Sequence, residues 1–113
     1  MENLNLSVSN HQLLSEYHQY IDKKEAFLDS FIDTGSEHDL FIASYIHGHF
    51  SVIAANMLNA VNEPENQAIT LGQWRAQTEE MLKQSIDKAI ANNELANTDA
   101  NDVLIMLEAL FKQ

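Results

Sequence analysis

A chain of 113 residues, 45% of them apolar, has the size and composition of one ordinary domain with a core of its own. Seventeen Asp and Glu against six Lys and Arg give a formal net charge of -11, which argues against nucleic acid and anionic membranes as partners. The absence of cysteine removes disulfides, thiolate nucleophiles and thiolate metal ligands, and makes the cytoplasm the expected location.

Residues 1–10 place Leu4, Leu6 and Val8 in alternation. With no strand partner downstream, the stretch is expected to form a short N-terminal arm leading into a helix. Residues 11–113 then read as a single helical domain. From His11 to Ile32, Leu14, Tyr17, Ile21, Leu28 and Phe31 recur at helical spacing, and Leu13, Tyr20 and Phe27 widen the apolar surface. His11, Ser15, His18, Asp22 and Glu25 follow a polar face, where Asp22 is placed to pair with His18 across one turn.

Asp33 to Ser36 reads as a turn. Ser36 is positioned to cap the next helix, with Asp39 as the reciprocal acidic residue of a capping box. The following segment, to about Ala60, is the most apolar of the chain. Phe41, Tyr45, Val52 and Ala55 share one face, while Ile42, Ile46, Ile53 and Met57 lie beside them. That width predicts a helix contacted from more than one side. Gly48 stands near its middle, where a missing side chain is expected to let another backbone approach closely.

Pro64, within Asn62 to Asn66, ends this helix. Thr70 and Gln73 form a second cap pair, opening a helix from Leu71 to about Asn92 whose inward face carries Trp74, Thr78, Met81, Leu82, Ser85, Ile86 and Ala89. Asn92, Asn93 and Glu94 weaken it. A last helix is expected from Thr98 or Asp99, presenting Ala100, Val103, Leu104, Leu107, Leu110 and Phe111. The expected fold is all-α, a four-helix bundle or two packed helical hairpins. No stretch reaches the roughly 20 continuous apolar residues of a membrane helix.

His47 and His49 form a His-Gly-His step, the most chemically suggestive local sequence. Residues two apart diverge around a helix, and neither imidazole has an acidic residue three or four positions away, so a satisfied structural role or a partner contact outweighs metal binding. His49 is the better candidate for a specific role. The paired Glu-x-x-His pattern of di-iron bundles is absent, as are His-Glu-x-x-His, a calcium loop, a Gly-rich phosphate loop and GxSxG. No catalytic residue, metal ligand set or cofactor is therefore assigned. Arg75, the one arginine, falls near the start of the third helix and reads as a surface charge, with an anion-binding residue at the helix N-terminus as the alternative. Trp74 reads as core by its spacing with Thr78 and Met81, or as an exposed partner anchor.

The run Asp39-Leu-Phe-Ile-Ala-Ser-Tyr-Ile-His-Gly-His-Phe50 resembles the YfcL-like family of small bacterial proteins. The stretch from Ser85 to Leu95, followed by Leu107 to Phe111, strengthens the resemblance, which spans roughly Glu37 to Lys112. Phe41, Tyr45, Gly48 and His49 match the motif, whereas the basic residue often found immediately before Gly48 is His47 here. The resemblance implies a compact helical protein and carries no biochemical activity with it. The broad apolar stripes, the absence of catalytic patterning and the one-turn spacing of Tyr45 and His49 leave two functional expectations. The first is a protein-binding helical module with a protein partner or a second copy of itself. The alternative is a small-molecule-binding protein or enzyme using a pocket near Tyr45 and His49.

Overall fold

The computed structural model describes residues 2–63 and 69–113, with side chains described from residue 12 onward. Four helices form the chain: α1 (Glu2–Thr34), α2 (Glu37–Val61), α3 (Leu71–Ala91) and α4 (Asn97–Phe111). There is no strand among the described residues.

Local chemistry sets most of the boundaries. Ser36 accepts from the Asp39 amide while the Asp39 carboxylate accepts from the Ser36 amide, a complete capping box that starts α2. Thr70 and Gln73 make the same reciprocal pair at α3. Asn93 adopts φ 59°, the left-handed turn that Asn tolerates better than most residues, and α3 stops at Ala91 just before it. The last helix begins at Asn97, with Ala96 as a cap lacking any side-chain bond.

Cross-helix pairs fix the register. Glu25 meets His47, His49 meets Ser85, and His38 meets Asp102, so the helices run up, down, up, down. The chain is a four-helix bundle in which α2 packs against all three of the others. The Glu25–His47 pairing also brings Val61 level with position 11 of α1. Residues 2–10, expected as an arm leading into the first helix, are helical and continuous with α1, reaching beyond the level of Val61; Met1 and residues 64–68 lie outside the described residues.

The core gathers Tyr17, Ile21 and Leu28 of α1 with Ile42, Ile46, Phe50, Ile53, Met57 and Val61 of α2. Trp74, Leu82 and Ile86 of α3 and Val103, Leu107 and Leu110 of α4 complete it. Two expectations need correction in α4: Leu104 is partly exposed, and Met106, not assigned inward from the sequence, is buried. His18 and Asp22 form no ion pair within 4.0 Å; Glu25 turns instead to His47. The side chain of His11 lies outside the described residues.

Candidate functional site

From Leu40 to Val61, 22 consecutive residues contain no Asp, Glu, Lys or Arg. One face of this run is spent on the core. The opposite face is not covered. Phe41 is 47% exposed and Val52 63% exposed, and Gly48, Ala55 and Asn59 are exposed between and beyond them, with Tyr45 half-buried. The expectation that both apolar faces of α2 would be contacted is thus corrected: Ile42, Ile46, Ile53 and Met57 are buried, whereas the Phe41–Val52–Ala55 face looks outward. The three neighbouring helices cover the inward arc, and among the described residues none is left for the outer one.

Gly48 shows the same sidedness. A Cβ built there meets no atom of another helix within 4 Å among the described residues, so no described backbone outside α2 approaches it, contrary to the sequence-based expectation. A shallow hollow of about 290 Å³ lined by Gly48, His49, Val52, Ile53 and Ser85 opens at this point. Beside it, a smaller depression of about 150 Å³ joins Leu40 and Ser44 of α2 to Ile32 of α1, itself a large exposed apolar residue. The apolar surface therefore continues toward α1 as far as Asp29, whose exposed side chain lines the same depression.

The two histidines of the His-Gly-His step diverge as the helix requires. His47 turns toward α1, its Nε2 3.5 Å from Glu25 and its Nδ1 3.3 Å from Ser51 Oγ. An Nε2–H facing the carboxylate, with Ser51 donating to Nδ1, satisfies all three groups. His49 turns toward α3, its Nδ1 2.7 Å from Ser85 Oγ, and its ring lies 4.8 Å from that of Tyr45. The Tyr45 hydroxyl is buried without a hydrogen-bond partner, and burial, aided by the charge of Glu94, raises its pKa. His49 thus has the polar partner that its position demands. It has no carboxylate within 4.0 Å among the described residues. No group of three or more His, Asp or Glu capable of holding a metal occurs among the described residues.

Trp74 is 2% exposed and belongs to the core, which removes it as an exposed partner anchor. Arg75 is exposed, its guanidinium 5.2 Å from the centroid of the Tyr20 ring. A hollow of about 240 Å³ brings it together with Lys23, Tyr20, Glu16 and Leu71. An acidic side chain therefore shares the space that an anion would need.

The sequence reading missed two positions. Lys24 is 2% exposed, and its ammonium donates to the main-chain oxygens of Leu110 at 2.9 Å and Gln113 at 3.1 Å while lying 5.3 Å from the Tyr20 ring centroid. It caps the negative end of α4. Burial pushes its pKa down. Its place four residues after Tyr20 and four before Leu28, inside the apolar stripe, was the available signal. His38, near the start of α2, donates from Nε2 to Asp102 at 2.7 Å, with Asp99 3.9 Å from Nδ1. The hydrogen bond to Asp102, together with the charges of Asp102, Asp99 and Asp39, raises its pKa against a smaller opposing effect of burial.

The chain is thus an all-α, up-down four-helix protein with an uncharged outer face on its central helix. It belongs to the YfcL family, whose model, described as YfcL protein, matches residues 18–112. It is 31% identical over 88 residues to Uncharacterized protein YfcL of Escherichia coli (strain K12), an alignment covering 78% of this chain and 85% of that protein. No solved structure matches it. No helix among the described residues is long and apolar enough to cross a membrane.

Proposed function

We propose that this protein is a recognition module that docks another polypeptide chain on the outer face of α2. The observation that carries the reading is the uncharged 22-residue run with Phe41 and Val52 standing in solvent. A surface helix of a self-contained domain ordinarily turns charged residues outward. This chain has charge to spare at -11, yet keeps all of it off this face. Full burial of a Phe or Val side chain contributes about 1.5–3 kcal/mol, so covering the exposed part of each offers on the order of 1 kcal/mol to a partner. The acidic remainder of the surface keeps the unbound protein soluble.

The alternative, a small-molecule site or enzyme near Tyr45 and His49, draws on the hollow beside His49 and the His49–Ser85 pair. The chemistry is thin. Ser85 sits within α3, where main-chain amides are spent on the helix and supply no donors for an oxyanion. Tyr45 does not line the hollow. Docking is the better-supported function.

The test places a photo-crosslinking amino acid at Val52 in cells, with Glu80 on the charged surface of α3 as the control position. Adducts from position 52 and none from position 80 are expected. Absence of any adduct at position 52 overturns the proposal.

A further inference from the structure

We infer that the occupant of the α2 face is a second copy of the same chain, its α2 lying antiparallel across the first. This rests on the docking reading above and names its partner. The exposed positions Phe41, Gly48, Val52, Ala55 and Asn59, with the half-buried Tyr45 between the first two, are separated by four, three, four, three and four residues, the spacing of a coiled-coil seam. A core-facing stripe needs no such regular outer counterpart.

The seam is also self-complementary, which a two-fold contact requires. With the axis at the level of Phe50, Gly48 of one copy faces Val52 of the other, Tyr45 faces Ala55, and Phe41 faces Asn59. Each pair sets a larger side chain against a smaller one. The most exposed knob, Val52, thereby meets the open space at Gly48, where no atom of another helix comes within 4 Å of a Cβ position among the described residues. The hollow formed by Gly48, His49 and Ser85 receives it. A parallel pairing would set Val52 on Val52 and Gly48 on Gly48, clashing at one level and leaving a gap at the next.

Charge selects the same partner. Two copies at -11 repel each other everywhere except where neither carries charge, and Leu40 to Val61 is that place. A basic partner would find no acidic residue within Leu40 to Val61 to pair with, since Asp29 and Glu94 stand only at the edges of this face. The seam is about 27 Å long at 1.5 Å per residue. Together with the Ile32 and Leu40 shelf, two such faces bury on the order of 1,000 Å², the lower limit of a specific interface. The dimer is accordingly weak, with a Kd of roughly tens to hundreds of micromolar.

Sedimentation velocity of the full chain across that concentration range tests the inference. A shift from 12.8 kDa toward twice that mass is expected, growing with salt as the repulsion between copies is screened. Val52→Asp should weaken association more than about tenfold while leaving helicity unchanged, since Val52 is not part of the core. The chain has no cysteine, so single-cysteine variants report register directly. An oxidised mixture of Tyr45→Cys and Ala55→Cys should form the mixed disulfide, whereas Val52→Cys should not couple to itself efficiently. Preferential self-coupling of Val52→Cys, or a dimer that survives Val52→Asp, overturns the arrangement. A chain that stays monomeric throughout, while position 52 crosslinks to a different protein in cells, overturns the second-copy inference and leaves the docking reading standing.

Discussion

The Tyr17 hydroxyl donates its proton to Thr78 Oγ1 across 2.5 Å, because the Thr78 hydroxyl spends its own proton on the Trp74 carbonyl at 2.7 Å. Both side chains are fully buried where α1 meets α3. Burial raises the pKa of Tyr17, and the bond to Thr78 offsets only part of that rise, so the phenol remains a neutral donor.

The direction of that chain makes the two ends unequal. Tyr17→Phe removes one hydrogen bond but leaves Thr78 still donating to Trp74, at a cost of about 0.5–1.5 kcal/mol. Thr78→Val strands the Tyr17 hydroxyl in the core without an acceptor, at about 1–3 kcal/mol. Urea unfolding should therefore show the larger fall in midpoint for Thr78→Val, with unchanged m values. Equal midpoints for the two variants would contradict the assigned direction.

Lys24 offers a second measurement. Its charge is buried at a desolvation cost, but its ammonium holds main-chain oxygens at the end of α4. Lys24→Met keeps the apolar stem and removes the cap. Leu110 O retains a bond from the Gln113 amide, so the loss should be moderate, about 1–2 kcal/mol. Hydrogen exchange at Phe111 and Lys112 should accelerate more than at Ile42 or Ile46. A uniform change across the bundle would show that Lys24 acts through packing alone.

His38 gives the fold a pH dependence. Its hydrogen bond to Asp102 raises its pKa above the ordinary 6.5, so the folded state binds the proton more tightly than the unfolded one. The stabilisation is fully present below pH 6.5, down to where the carboxylates themselves protonate. It is lost as pH rises through the raised value. An NMR titration of the His38 ring should show a midpoint above 6.5, and Asp102→Asn should lower it. A midpoint that ignores Asp102→Asn would refute the assignment.

How much of this was legible follows from where each determinant lies. The Ser36–Asp39 and Thr70–Gln73 boxes are local, three residues apart, and could be read before any fold was known. The apolar spacing of Tyr17, Ile21 and Leu28 was equally plain, and the resemblance to the YfcL family was carried by the α2 run itself. Lys24 escaped because its partners lie about 90 residues away, at a helix end that only tertiary packing brings alongside. The Glu25–His47 and His38–Asp102 pairs escaped for the same reason. For α2 the sequence shows two apolar faces and gives no means of counting how many helices remain to cover them. Gly48 is the clearest instance: a missing side chain predicts a close neighbour, but not whether that neighbour belongs to the same chain.

That ambiguity makes Gly48→Ala the most informative single substitution. Within the monomer the added methyl meets nothing within 4 Å, and Ala is a better helix former than Gly by roughly 1 kcal/mol. The isolated fold should therefore gain up to about that much, read as a higher denaturation midpoint at micromolar concentration. In the antiparallel dimer the same methyl occupies the space that receives Val52 of the other copy, so association should weaken severalfold. Stability rising while dimerisation falls is the expected combination, because one methyl group acts on a free surface in the first state and on a filled hollow in the second. If both rise together, Gly48 is not the receiving position and the seam must cross elsewhere on α2.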